Sequence, residues 1–357
     1  MAGPDWGRRS VDRFRFVRVT WPGLAEAGEL DGITGGTVTD SLGDSVKSSG
    51  SLDYAADPRV GNDLVRVYCD SSWDDGTMVT TALGTYLWCT PEGSLRPGRR
   101  SGTADLYSTL KVLEDWGERA PYSLAAGSNA VGVAKAICEA CGLPVSATPS
   151  GVTLSTPHAW DAGTSRLEIV NWLLDFAGYG SAGVDGYGTV VMEPYADPSS
   201  KAPAATLADD GDGCFEAEVG LSRDDWDTPN VVVVTCESSE RTVSAFAVDQ
   251  SGTRYSVDSR CREVTRTETL GDIDSGSTDD EVEAACLAKA ELLLATGRQS
   301  VEKARVRHYY KPFSIGDAVE FRYTSAGYSQ KMGVWSREVS LTPGMACSTL
   351  LRRFTDE

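Results

Sequence analysis

Histidine is nearly missing from this chain: among 357 residues only His158 and His308 carry an imidazole. Any Ser/His/Asp or Cys/His nucleophilic set must draw on one of those two rings. His158 falls in a loop between Pro157 and Trp160, and His308 sits in an expected strand beside Tyr309 and Tyr310. A packed or exposed ring is the expected outcome at both, so the chain reads as non-enzymatic and neither ring is expected to matter for assembly. Long apolar runs are also missing. One of the densest, Val231 to Val234, is four residues long, far short of the roughly 20 a membrane span needs. The opening MAGPDWGRRS holds no apolar core of a secretory signal, so synthesis in the cytoplasm and no membrane contact are expected.

Positive charge is scarce. Lys and Arg number 33 against 52 Asp and Glu, a formal charge of −19. Such a surface repels phosphate, which excludes tight nucleic-acid binding through a broad basic face but not passing contact with DNA that must not adhere. The nine cysteines, Cys69, Cys89, Cys138, Cys141, Cys214, Cys236, Cys261, Cys286 and Cys347, are odd in number and mostly isolated among apolar neighbours. They read as buried free thiols of a reducing compartment.

Metal and nucleotide motifs fail on spacing. Cys138 and Cys141 form a CxxC on an expected helix with no second ligand pair, so zinc is not indicated. Gly178, Gly180 and Gly183 match GxGxxG, but they follow a helix and lead into a strand, the reverse of the dinucleotide context. A weak calcium candidate remains in Asp272, Asp274, Asp280 and Glu283. Gly276 and Ser277 stand at its fifth and sixth positions, where a ligand and a glycine are needed, and capping of the following helix explains the same acids. No cofactor is expected. Fifty-two acids do not specify a glycosidase pair, and the aromatics could form a sugar-stacking face or fill cores.

The first hundred residues read as β. Phe14, Phe16, Val17 and Val19 open a strand, and alternation continues over 33–42, 48–54, 64–69 and 78–90, with turns at Asp31-Gly32, Asp57-Pro58 and Asp75-Gly76. Leu106, Leu110, Leu113 and Trp116 then recur at helical spacing before Gly117. A second helix is expected from Ser128, as N-cap, to Cys141. A third starts at the capping box Ser165/Glu168 and stops at Gly178. Segments 179–184 and 187–193 flank Asp185-Gly186, a two-residue hairpin signal. The segment 197–213 has linker composition. Strands are expected again over 215–221, 230–236, 241–249 and 253–267. A helix opened by the capping box Thr278/Glu281 carries Val282, Ala285, Cys286, Leu293 and Leu294 as its core stripe. Strands over 300–310, 318–323, 333–341 and 346–354 complete the chain.

The expected fold class is therefore a β-rich α+β protein: two tube-like β-barrel domains with an inserted small α/β module. Its parts are 1–117 (first barrel-like domain with one helix), 118–196 (module), 197–213 (linker) and 214–357 (second barrel-like domain with one helix). A β-rich block with one helix near each end suggests that the two barrels are related.

This order, with certain phrases, resembles the baseplate hub or tail-tip hub proteins of long-tailed bacteriophages and prophages. The phrases are Gly36-Thr37-Val38 through Ser51-Leu52, Ala126 to Leu143, and Trp160 to Ser165 with the Leu-rich helix and the run to Glu193-Pro194-Tyr195. Thr228-Pro229-Asn230, Phe313 to Val319 and Thr349 to Arg353 complete the set. The resemblance implies a structural virion protein, a homotrimer whose two barrels per subunit make a pseudo-sixfold ring. It also implies a ring that joins the hexameric tail tube or a distal tail protein to a spike or tail fibre, meets the tape measure protein, and forms part of the DNA exit channel at the virion tail tip. The rival readings are a tail-associated cell-wall hydrolase and a carbohydrate- or receptor-binding adhesin.

Overall fold

In a computed structural model the chain is described at residues 6, 8–97, 99–209, 215–224, 226, 228–237, 242–270, 278–297, 300–344 and 347–355. Among these residues it is β-rich with five α-helices, and it forms two compact units, 1–219 with 305–351 and 220–304 with 352–357.

The first unit opens with β1 (Val11–Val19), β2 (Glu26–Glu29), β3 (Ile33–Ser41), β4 (Ser48–Tyr54), β5 (Leu64–Ser72), β6 (Met78–Arg96) and β7 (Arg99–Ser108). The expected alternation yields strands at nearly the expected bounds in β1 and β3 to β5, whereas β6 runs six residues beyond 90, and β2 and β7 are strands the alternation does not mark. Leu106 belongs to β7, not to a helix. α1 covers only Leu110–Asp115, so the helical spacing from 106 to 116 spans the end of a strand running straight into one helical turn and a half.

Next come β8 (Tyr122–Leu124), α2 (Ala130–Ala140), β9 (Val145–Ala147), β10 (His158–Trp160), α3 (Arg166–Phe176), β11 (Gly183–Val184) and β12 (Val190–Met192). Asn129, one residue beyond the expected Ser128, caps α2 by accepting from Gly132 N. Ser165 caps α3 as expected, accepting from Glu168 N. Gly178, at φ +74°, ends α3: its N–H donates to Asp175 O, and the next N–H, of Tyr179, reaches back to Leu174 O. One face of each helix packs into a shared core that includes Ala134, Cys138, Leu167, Val170, Leu173 and Leu174.

β11 and β12 pair as a hairpin, but the connection is a five-residue loop, 185–189, instead of the two-residue turn expected at Asp185-Gly186. Asp185 N donates to Thr189 O, and the Asp185 carboxylate accepts from Tyr187 N and Thr189 N. β12 also lies parallel to β9.

Within 197–213, Pro203–Ala208 is a strand, β13, with Leu207 fully buried. Composition marked a linker there because Pro, Ala and Ser carry little apolar signal. The second unit holds β14 (Gly220–Asp224), β15 (Val231–Glu237), β16 (Thr242–Val248), α4 (Val257–Arg260), β17 (Thr265–Leu270) and α5 (Asp279–Gly297). β15 pairs antiparallel with β16 and parallel with β17. The strand expected over 253–267 begins only at Thr265. Buried Asn230 donates through Nδ2 to Tyr255 O and Arg262 O and accepts from Val264 N, which curls 255–264 around it. α5 carries the full reciprocal capping box. Thr278 N donates to Glu281 Oε2, and Glu281 N to Thr278 Oγ1. Its buried stripe is Val282, Cys286, Ala290 and Leu294 against Val232, Val234, Ala245 and Ala247; Ala285 is exposed.

β18 (Ser300–His308), β19 (Ala318–Tyr323), β20 (Tyr328–Ser340) and β21 (Cys347–Thr355) finish the chain. In the first unit the sheet runs β21-β20-β3-β4-β7-β6-β5-β1-β2, with β19 also on β20 and β13 parallel to β19. The C-terminal strands are thereby stitched to the N-terminal ones. This path does not close into a barrel among the described residues.

Candidate functional site

Both histidines are held by packing. His308 is fully buried. Its Nδ1 lies 2.6 Å from Tyr309 O and its Nε2 2.8 Å from Thr349 Oγ1. Because a carbonyl only accepts, Nδ1 carries the hydrogen and Nε2 accepts from the threonine. Burial pushes the imidazole pKa down to about 4, so the ring is neutral at pH 7. A neutral imidazole accepting from a hydroxyl is the start of a nucleophile pair, but Thr349 is equally buried and no substrate can meet it. His158 lies in β10, stacked on Trp172 at 4.1 Å and edge-on to Trp160 at 4.5 Å. Trp172 stacks in turn on Phe176, which is 40% exposed. The ring faces are largely spent on one another, so this cluster closes the module more than it offers a platform for a sugar.

Cys138 is buried on α2, and burial pushes its thiol up to about 12. Cys141 accepts from Arg166 Nη1 at 3.1 Å, while Arg166 Nε bonds Glu118 at 2.8 Å and its guanidinium covers Trp116. Gly178 is a helix stop, as above, Gly180 follows it, and Gly183 is the first residue of β11. Of the calcium candidates, Asp272 and Asp274 lie outside the described residues, and Asp280 and Glu283 are exposed on α5. Among the described residues no three His, Cys, Asp or Glu side chains gather to hold a metal ion, and no helix is long and apolar enough to cross a membrane.

The most highly organised polar site is one that motif reading passes over. Arg66, buried in β5 between Val65 and Val67, sends Nε to Thr85 Oγ1 (2.9 Å), Nη1 to Glu26 Oε1 (3.0 Å) and Nη2 to Tyr187 O (3.1 Å). Tyr68 and Arg66 together hold the Glu26 carboxyl below its usual range. Thr85 Oγ1 donates to Gly186 O, and Thr109 Oγ1 to Gly188 O. Three successive carbonyls of the 185–189 loop are thus each taken by a side chain of the sheet. A Cβ at Gly186 would lie 2.2 Å from Ala82 O. An open groove of about 600 Å3 runs alongside, lined by Pro22, Leu24, Arg66, Leu143, Pro144 and Tyr187. Three of the five N–H donors of its arginine are already taken, Glu139 and Thr189 complete its polar lining, and it lies where the module meets the sheet. A lone arginine inside an apolar strand was the only sequence signal for it.

A buried ion pair joins Arg337 of β20 to Asp40 of β3 at 2.7 Å. Asp40 also accepts from Ser48 Oγ, and Arg337 donates to Phe313 O.

No protein-family model matches the sequence, and no curated protein does either. The fold does match solved structures. A tail protein from Neisseria meningitidis MC58 aligns with TM-score 0.65 at 16% identity, over 96% of this chain and 97% of that one. The 43 kDa tail protein of prophage MuSo2 from Shewanella oneidensis gives 0.58 at 13%, over 96% and 98%. Prophage tail protein gp18 from Listeria monocytogenes EGD-e gives 0.52 at 10%, over 96% and 95%. This chain therefore has the fold of phage tail proteins, in keeping with the kinship expected from its element order.

Proposed function

We propose that the chain is a non-enzymatic structural component of a phage or prophage tail tip, acting as the hub. In this reading three copies form a ring, with two barrel-like portions per copy giving six similar positions. The ring meets the hexameric tail tube or distal tail protein on one side and a spike or fibre on the other, with the tape measure protein and exiting DNA passing its lumen. Assembly would occur in the bacterial cytoplasm and the final location would be the virion tail tip.

The observation that carries the reading is the end-to-end likeness to the Neisseria tail protein, which leaves almost none of either chain unaligned. The charge of −19 supports it, because an acidic lumen keeps DNA from adhering.

The test is native mass spectrometry of the purified protein, with class averages by electron microscopy and antibody labelling of tails. A trimer with an open central hole wide enough for a duplex, and label at the tail tip, is the expected result. A closed dimer or label elsewhere on the particle would overturn the hub reading.

A further inference from the structure

The β6–β7 hairpin runs past the sheet that holds it. β5 covers β6 only from Met78 to Leu87, and β4 covers β7 only from Gly102 to Tyr107. Beyond these limits the pairs Ser94/Ser101, Leu95/Arg100 and Arg96/Arg99 bond only across the hairpin. A two-stranded ribbon is marginal in water on its own. This one is fixed at its base. Tyr54 OH donates to Glu92 O at 3.1 Å and a Cβ at Gly102 would strike Glu92 O; nearer the tip, Arg100 Nη1 meets Asp57 Oδ2 at 2.8 Å.

The tip is basic in an acidic protein. Leu95 is 81% exposed. Beside it Arg96 is exposed and pairs with no acidic side chain among the described residues.

We propose that this arm docks on the acidic surface of a second copy of the chain. Charge complementarity selects that occupant, since each copy carries 52 acidic against 33 basic side chains and opposite charge steers association. The leucine argues against DNA as the occupant. An apolar anchor ringed by charge is the form of a protein–protein contact, and a phosphate backbone offers it nothing to bury against. The proposal rests on the self-association put forward above and adds which segment makes the contact.

The experiment is sedimentation velocity on the full chain across concentration, at about 0.1 M and about 1 M salt, because screening weakens exposed charge pairs. Wild type is compared with Arg96→Glu and Leu95→Ser, with thermal melting as the fold control. Self-association is expected to weaken at least about tenfold in each variant, a change of about 1.4 kcal/mol, and to weaken in high salt for wild type, with melting unchanged. A photoreactive residue at position 95 is expected to cross-link to an acid-rich peptide of another copy, which tests the contact even if a substitution disturbs the arm. A wild-type trimer matched by equally tight variants would overturn the arm and leave the hub reading standing. A wild type that stays monomeric at every concentration would overturn both. Retention of duplex DNA by wild type and its loss in Arg96→Glu, with mass unchanged, would overturn the proposal in favour of a nucleic-acid contact.

Discussion

Arg337 Nη2 donates to Asp40 Oδ2 at 2.7 Å across 297 residues of sequence, and the two are direct cross-strand partners of β20 and β3. Burial works against the arginine's charge, but Asp40 outweighs it and raises the pKa above the ordinary value. Ser48 Oγ, which donates to Asp40 Oδ1, lies 2.9 Å from Tyr86 OH. The strand junction that unites the two ends of the chain in one sheet is therefore built around a buried charge pair, in which Arg337 Nη1 and Nη2 are bonded and Nε has no hydrogen-bond partner.

Removing one partner should be severe. Asp40→Asn leaves the guanidinium buried without its counter-charge, and Arg337→Met leaves the carboxylate so. Each is expected to cost about 3–5 kcal/mol, read as a shift of the urea midpoint followed by tryptophan fluorescence. The double variant Asp40→Asn with Arg337→Met should cost clearly less than the two single losses added together. Additive losses would mean that the two charges do not act as a unit.

His308 gives a pH signature. Its folded pKa of about 4 lies below the ordinary 6.5, so between those values the unfolded chain binds a proton that the folded chain refuses. Stability should fall as pH drops from about 6.5 to about 4, by about 3 kcal/mol from this residue, and no further below that. Melting temperature against pH should show this slope, and His308→Gln should flatten it. Alanine at His308 removes a buried ring and two hydrogen bonds. Contrary to the expectation from sequence that neither ring matters, it should reduce the yield of folded protein.

Local signals in the sequence were legible and distant ones were not. The capping pairs Ser165/Glu168 and Thr278/Glu281 place the starts of α3 and α5, because a cap needs only neighbours along the chain. Alternation likewise places β3 to β5. The β20–β3 register is invisible locally, since nothing within ten residues of Arg337 points to Asp40. Ala290 was missed on the α5 stripe because alanine has almost no apolar signal, while Ala285, about 100° round the helix from Cys286, looks the same in sequence. The candidate site suffers most: Arg66 gathers Glu26, Thr85 and Tyr187 from three separate segments, and the carbonyls it secures belong to residues of no distinctive chemistry.

The 185–189 loop shows why Asp185-Gly186 did not form a two-residue turn. Arg66, Thr85 and Thr109 each take one carbonyl of the loop, and those contacts outweigh local turn preference. Gly186→Ala forces a methyl group against Ala82 O and should cost about 1–3 kcal/mol. Arg66→Ala removes the donor to Tyr187 O and one of the two donors to half-exposed Glu26, which keeps Tyr68, and should cost about 1–3 kcal/mol. Limited proteolysis should then cut the module's loops faster in both variants than in wild type. Equal cutting rates would show that the module is held by other contacts.

Leu174 tests the core on which the module depends. It is fully buried on α3 among Leu167, Val170 and Leu173, and its carbonyl receives the Tyr179 N–H that closes the helix. Leu174→Ala leaves a cavity worth about 2–5 kcal/mol, which the protein should survive with a lowered melting temperature. Leu174→Asp adds a carboxylate with no partner in a dry core, and insoluble protein is expected on expression. His158→Ala only shortens an aromatic stack at the module's surface and should leave soluble protein of unchanged native mass. Soluble Leu174→Asp protein with a normal melting curve would mean that α3 does not pack through this face.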